Sequence, residues 1–433
     1  MAPSGKHKRG ARRAAKTVAG KVADARIETI GARGDGVAIV DGAKIFVPLT
    51  APGDLARITC RGERGALESL MDRSPHRVDA PCAHYGECGG CALQHVSNEF
   101  YRDWKRRLVV DALGREGFDA EIIAPLHACA PASRRRASFA VRKTAAGAVL
   151  GFNERASARI VSISECKVLD SPFDAALPLL RKLAQATPAR WRNFDLKATL
   201  CENGLDVVFA GGEAGDDLSV REIESLTSLA RTGNIARISV DDAPIAMFDA
   251  PFVRFGGVPV AMPPGGFLQA SREGEAALCD FVLKHAAGSK RIADLFSGCG
   301  TFSLPLAHGA AVEAFDSDGP AINALDLASR AAGFRRPLTA AQRNLFERPL
   351  SAEELNGYDA VLFDPPRAGA KGQSGQLSIS RVKTVIGVSC NPASFARDAA
   401  ILRDGGYHLS QVLPVDQFVY SPHVELAGLF TKE

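Results

Sequence analysis

The stretch DLFSGCGTFS, Asp294–Ser303, decides how this chain is read. An apolar strand, Arg291–Phe296, runs into a turn carrying Gly298 and Gly300 and then into a helical pattern. From residue 266 to the end, helical patterns alternate with short apolar strands at Val312–Phe315, Ala360–Phe363 and Thr384–Val388. Such alternation predicts a doubly wound, Rossmann-like α/β domain with a mostly parallel sheet. In that architecture ligands bind at the carboxyl ends of the strands, where the Gly298–Gly300 turn lies.

The details of the turn narrow the ligand. A dinucleotide fingerprint asks for a third glycine, but Ser303 stands there, and no phosphate-cradling Lys-Ser or Lys-Thr follows. Asp316 ends the next strand, where a carboxylate meets ribose hydroxyls. A glycine turn with a ribose acid and no third glycine points to S-adenosylmethionine rather than NAD.

Three more motifs lie at the same sheet edge. In VLFDPPR (Val361–Arg367) a strand end delivers Asp364 and two prolines extend the following chain. A rigid turn would look similar, but an acid before two prolines at a strand terminus favours an active site. Enzymes that methylate exocyclic amines usually carry an aromatic residue after the prolines; Arg367 argues against an amino-group target. In VSCNP (Val388–Pro392), Cys390 follows an apolar strand. Its spacing alone suits a core cysteine; its place beside Gly298 and Asp364 makes it a candidate nucleophile. A thiol titrates near ~8.5, so a neighbouring dipole or charge must raise its thiolate fraction. In HVE (His423–Glu425), Glu425 introduces the last apolar strand, as a solvated edge residue or as a base.

Ten cysteines are present. Cys82, Cys88 and Cys91 cluster, and Cys166 is a natural fourth ligand, for a [4Fe–4S] cluster or a zinc site. Spacing leaves the metal open. Cys60, Cys129, Cys201, Cys279 and Cys299 read as core residues. A secreted disulfide scaffold would be shorter and denser in cysteine, so a cytoplasmic setting is expected.

The 433 residues, 46% apolar and 24% charged, exceed one core and imply two to four domains. That balance excludes a disordered or collagen-like chain, and no apolar run of about 18 residues suggests a membrane helix. Net charge is only +4, but the basic residues are grouped. Residues 1–21 read as a disordered basic tail that neutralises phosphates or merely solubilises; they also share the Arg-rich, acid-poor look of a transit peptide. Residues 22–76 read as five short strands in an OB-like barrel, a common platform for single-stranded RNA. Residues 77–262 read as a β-rich central domain holding the cysteine cluster, with a helix near 174–186. Within it, 98–116 reads as an amphipathic helix with a basic face, and Arg134, Arg135, Arg136, Arg142 and Lys143 as a solvated or phosphate-binding run. Residues 263–433 form the α/β domain.

Together these motifs resemble the RNA (uracil-5-)-methyltransferase family, in its iron–sulfur 23S ribosomal RNA branch, over residues 22–433. The resemblance implies that 24–76 is a TRAM barrel and that Cys82, Cys88, Cys91 and Cys166 hold [4Fe–4S] rather than zinc. It matches GFLQA (Gly266–Ala270), through Gln269, to a donor-binding segment. It places Phe296, Thr301, Asp316, Asn344 and Asp364 on donor-binding positions, Cys390 on the nucleophile and Glu425 on the base. It implies S-adenosylmethionine as methyl donor, an RNA partner, a monomer without protein partners, and a segment near 95–120 that packs on the catalytic domain. Two positions depart: Thr301 stands where relatives often have Asn, and Ala270-Ser271 where an Asn is common. Competing readings are the same reaction on transfer RNA, DNA cytosine-C5 methylation, a zinc-stabilised enzyme, and a non-catalytic iron–sulfur RNA-binding protein. Cytosine-C5 enzymes place Cys directly after a Pro where this chain has Asp364-Pro365-Pro366; relatives acting on transfer RNA commonly lack both cluster and barrel.

Overall fold

The structure, a computed structural model, describes residues 20–211 and 218–433. The basic tail lies outside the described residues except for Gly20 and Lys21, and Lys21 already opens the first strand. The chain forms two compact units that meet in sequence at Arg77 and Val78.

The first unit is a closed five-stranded barrel. Its strands are Lys21–Ile30, Gly36–Val40, Ala43–Val47, Leu55–Arg61 and Arg64–Asp72, and the first pairs with the fourth to close it. Alternation turns Ala25, Ile27, Ile45, Val47, Ala56 and Ile58 into one small core. Buried Asp54 ties the last segment down: it accepts from the Ala51 and Ser74 amides and pairs with Arg77.

In the second unit, five parallel strands run in the order Leu338–Gln342, Ala311–Asp316, Arg291–Leu295, Ala360–Phe363 and Thr384–Ser389. Glu425–Thr431 then pairs antiparallel, His408–Asp416 lies beyond it, and His127–Ala128 adds the far edge. Both faces are covered, which is why the central strands read as unbroken apolar runs. One face packs Leu278 and Phe281 of the Arg272–Ala286 helix with Leu304 and Leu325. The other packs Leu377, Leu402 and Leu113, the last from the Asn98–Gly114 helix. Truncating fully buried Leu113 to alanine would cost about 2–5 kcal/mol.

The basic face expected of that helix is only partly solvated. Lys105 is 0% exposed. Its ammonium pairs with Asp416 at 2.6 Å and donates to the carbonyls of Phe418 and His423. Apolar spacing could not show this, because the partner lies 311 residues away.

The seven-stranded sheet between these segments runs from Ala243–Met247 through Ile235–Val240, Gly204–Ala210, Asn193–Cys201, Arg136–Thr144 and Gly147–Asn153 to Ile160–Ser162. Phe139, Phe173, Trp191 and Phe209 form its core with the Pro172–Ala186 helix, the helix expected near 174–186. A second helix, Val220–Ala230, lies beyond the elements expected here, although Ile223, Leu226 and Ala230 recur at helical spacing; a Ser219–Glu222 capping box starts it. The run Arg134–Arg136 is not a solvated face. Arg135 is buried against Glu275, and Arg135 and Arg136 donate to the carbonyls of Gln269 and Leu268.

Candidate active site

The Arg291–Leu295 strand ends in a backbone that ordinary residues avoid. Phe296 has φ +64°, and Gly298 and Gly300 have φ +53° and +93°. A Cβ at Gly300 would collide with Leu325, so only glycine lets the helix approach this closely. The Phe296 and Ser297 amides donate to the Phe315 carbonyl, and Gly298 N–H donates to Asp316 Oδ2 at 2.9 Å. The turn and Asp316 are therefore one unit across two strands. The Phe296 ring lies 5.4 Å from that of Phe346, which is exposed, and Asn344 Oδ1 accepts from the Phe346 amide. Thr301 is buried behind the turn, its carbonyl accepting from the Cys279 thiol. Asp294 Oδ1 and Ser297 Oγ are buried without a hydrogen-bond partner at the same strand end. Orphaned polar atoms beside a glycine turn, an aromatic pair and an acid fit a polar nucleoside ligand. Burial pushes the Asp294 carboxyl up to about 7.

Asp364 follows the neighbouring strand and donates its amide to the Leu295 carbonyl. Its half-buried side chain accepts from Gln269 Nε2 at 3.2 Å. Cys390 sits half-buried at the end of the next strand, before the Pro392–Asp404 helix. Glu425 opens the antiparallel strand and is 3% exposed. Burial lifts the Glu425 carboxyl to about 7, opposed by a hydrogen bond from Gln417. Burial and the Glu425 charge raise Asp364 well above the usual carboxylate range. Burial, then the charges of Glu425 and Asp364, push the Cys390 thiol to about 11; the Arg367 guanidinium opposes them. Thus Cys390, Asp364 and Glu425, 61 residues apart at the extremes, sense each other at one sheet edge.

The four grouped cysteines stand otherwise. Among the described residues no three His, Cys, Asp or Glu side chains are gathered as ligands of a metal ion. Yet Cys88 and Cys91 are raised by burial and by the neighbouring thiols of Cys82 and Cys166, so the four face one another at longer range. The Gly90 amide donates to Cys88 Sγ, and the Val168 and Leu169 amides to Cys166. Amides aimed at sulfur suit thiolates that carry charge, and in this respect the donor set fits a thiolate-held metal group, whether iron–sulfur or zinc. Of the remaining five, Cys129, Cys201 and Cys299 are buried, whereas Cys60 and Cys279 are half-buried.

Comparison with known proteins follows the same lines. A family model described as tRNA (Uracil-5-)-methyltransferase matches residues 337–433. A Brucella suis protein described as an uncharacterized RNA methyltransferase is 44% identical over 95% of this chain and 98% of its own. The 23S rRNA (uracil(1939)-C(5))-methyltransferase of Chromohalobacter salexigens is 32% identical over 94% of this chain and 89% of its own. This chain belongs to the RNA uracil-5-methyltransferase family. Among solved structures, the Pyrococcus abyssi tRNA (uracil-54, C5)-methyltransferase with S-adenosyl-L-homocysteine is similar at TM-score 0.73 and 25% identity, covering 94% of this chain and 99% of that one.

Two groups in this family member escaped sequence reasoning. One is the arginine clamp on Leu268 and Gln269, which the basic run concealed as a surface feature. The other is the loop between Asp416 and Glu425. Asp416 accepts from Tyr101 and Lys105, Tyr420 takes φ +61°, and the Ala92 and Leu93 amides donate to the Tyr420 carbonyl. The segment that follows Cys91 thus rests on the loop that carries Glu425. The only local signal was two polar residues, Asp416-Gln417, closing an apolar strand.

Proposed function

We propose that this enzyme methylates uridine C5 in 23S ribosomal RNA, with Cys390 as nucleophile and Glu425 as base. The observation that carries the reading is the convergence of Cys390, Asp364 and buried Glu425 beside the Gly298–Gly300 turn. Uracil C5 is a weak nucleophile. Addition of the Cys390 thiolate at C6 moves the C5–C6 π pair into an enolate, making C5 reactive. S-adenosylmethionine supplies an electrophilic methyl whose bonding pair stays with its sulfur. Glu425 then takes the C5 proton, the released pair re-forms C5–C6, and the C6–sulfur bond breaks to return the Cys390 thiolate. Asp364, held by Gln269, orients the donor or the base. Gln269, Phe296, Thr301, Asp316 and Asn344 would hold the donor.

The target base must leave its stack to reach Cys390. The five-stranded barrel, read as a TRAM domain, supplies a further RNA grip. Cys82, Cys88, Cys91 and Cys166 would hold a [4Fe–4S] cluster, which this reaction does not need for electron transfer. The Chromohalobacter relative and the grouped cysteines favour ribosomal over transfer RNA as substrate.

Mass-spectrometric mapping of 5-methyluridine in ribosomal and transfer RNA, with and without the gene, tests the substrate. Loss of ribosomal 5-methyluridine is expected; loss confined to transfer RNA overturns that part. RNA carrying 5-fluorouridine should trap a donor-dependent covalent adduct, and an adduct formed by Cys390→Ala would remove Cys390 as nucleophile.

A further inference from the structure

The side chain of Gln417 links both halves of the site. It is 2% exposed and lies at the start of the loop before Glu425. The Ala270 amide donates to its Oε1 at 2.9 Å, so its amide nitrogen must face the other way. That nitrogen donates to Glu425 Oε2 and to Gln269 Oε1, each at 2.7 Å. With its oxygen thus occupied, Gln269 turns its own nitrogen to Asp364 Oδ2 at 3.2 Å. One polarised chain therefore runs from Ala270 through Gln417 and Gln269 to Asp364, with a branch to Glu425.

We infer that Gln417 is a positioning residue that keeps Glu425 an aimed, proton-accepting carboxylate and ties it to the donor-binding segment. The inference rests on the proposed role of Glu425 as base. An N–H aimed at Oε2 favours the charged carboxylate. The need is physical, because burial drives Glu425 the other way. The titratable groups facing Glu425 are Asp364 and Cys390, whose negative forms would also disfavour its charge. Within the described contacts, Gln417 is the hydrogen-bond donor to Glu425 that offsets them. The loop backbone is held independently, by Lys105 at the Phe418 and His423 carbonyls and by Tyr101 and Lys105 at Asp416. Deleting the Gln417 amide should therefore alter the base without releasing the loop.

The test separates the two half-reactions in single turnover, using target RNA tritiated at uridine C5. Adduct formation is read by denaturing gel and proton loss by tritium release, from about pH 5.5 to 9. Gln417→Leu should leave adduct formation in place and move the midpoint of tritium release up by about one to two pH units, the worth of a hydrogen bond to a charged group. Release should be about 10- to 100-fold slower at neutral pH and recover in alkali. Gln417→Glu keeps the size and the bond to Ala270 but adds a second acid, and should move the midpoint at least as far; it decides the matter if the leucine variant does not fold. An unmoved midpoint, or an equal loss at every pH, overturns the inference. Glu425→Gln is the control on the underlying reading: it should accumulate methylated adduct, and normal tritium release from it would refute Glu425 as base whatever Gln417 does.

Discussion

In the proposed reaction the acidity of Cys390 sets the pace of the first chemical step, and its surroundings work against it. With its thiol pushed to about 11, only about one molecule in a thousand carries the thiolate at pH 8. Below the midpoint, each unit of rise in pH multiplies that fraction by about ten. Adduct formation on 5-fluorouridine RNA should therefore climb about a hundredfold from pH 7 to 9, with unit slope on a logarithmic plot. Two of the causes are charges, which gives the argument a second handle. Glu425→Gln removes a negative group that raises the thiol, so adducts should form about three to ten times faster at pH 8, the effect of half to one pKa unit. On RNA with an ordinary target uridine the same variant should stall afterwards, with its adducts methylated but unresolved. Arg367→Ala removes the opposing cation and should slow adduct formation by a similar factor. The assay is rapid mixing, denaturing quench and gel quantification with RNA in excess of its binding constant. A flat rate between pH 7 and 9, or a slower first step in Glu425→Gln, would refute the electrostatic account.

Three other outcomes are expected. Lys105→Met should destabilise the second unit by about 3–5 kcal/mol, since it strands a buried Asp416, and Lys105→Met with Asp416→Asn should recover part of the loss; denaturant melts would show it, and a single-mutant cost under about 1 kcal/mol would contradict it. The Asp294 carboxyl is raised to about 7, so the stability of its protonated form is complete below the unfolded value near 3.8 and is lost as pH rises through about 7. Asp294→Asn should therefore remove a pH dependence on the order of 4 kcal/mol across that window, and thermal melts with equal pH dependence in both proteins would reject this. Anaerobically purified protein should be brown and contain about four irons per chain, with Cys82→Ser or Cys166→Ser losing colour and iron together; colourless protein holding a single zinc would decide for the other metal.

Local sequence disclosed what depends on local chemistry. Four of the five parallel strands were legible because burial on both faces leaves unbroken apolar runs such as Val361–Phe363, and the turn because Gly298 and Gly300 take positive φ; the edge strand Leu338–Gln342, mostly exposed, leaves no such run. The barrel strands were legible from turn dipeptides such as Asp41-Gly42. What stayed hidden depends on partners far apart in sequence. Lys105 looked like a solvated helix residue until Asp416 neutralised it, and Arg135 and Arg136 looked like an RNA-facing run until the carbonyls of 268 and 269 claimed them. Gln417 carries no motif of its own, and its meaning lies in three partners: Gln269 and Ala270 from a distant segment, and Glu425 eight residues on.

These hidden contacts share a direction: each ends on the segments that present Gln269 or Glu425. The arginine clamp fixes the 268–269 backbone, Lys105 and Tyr101 fix the loop ahead of Glu425, and the Ala92 and Leu93 amides fix its Tyr420 corner. Rigid support is what a buried carboxylate pair requires. Burial lifts Glu425, and burial with the Glu425 charge lifts Asp364, only while the two stay packed; a loop free to relax would let water solvate Glu425 and return it to an ordinary carboxylate. With Glu425 held near 7, it can accept a proton and pass it on near neutral pH, where a base is most effective. In the proposed reaction the central sheet and the cysteine-bearing segment thus serve the chemistry from outside the site, by holding two short stretches of chain still.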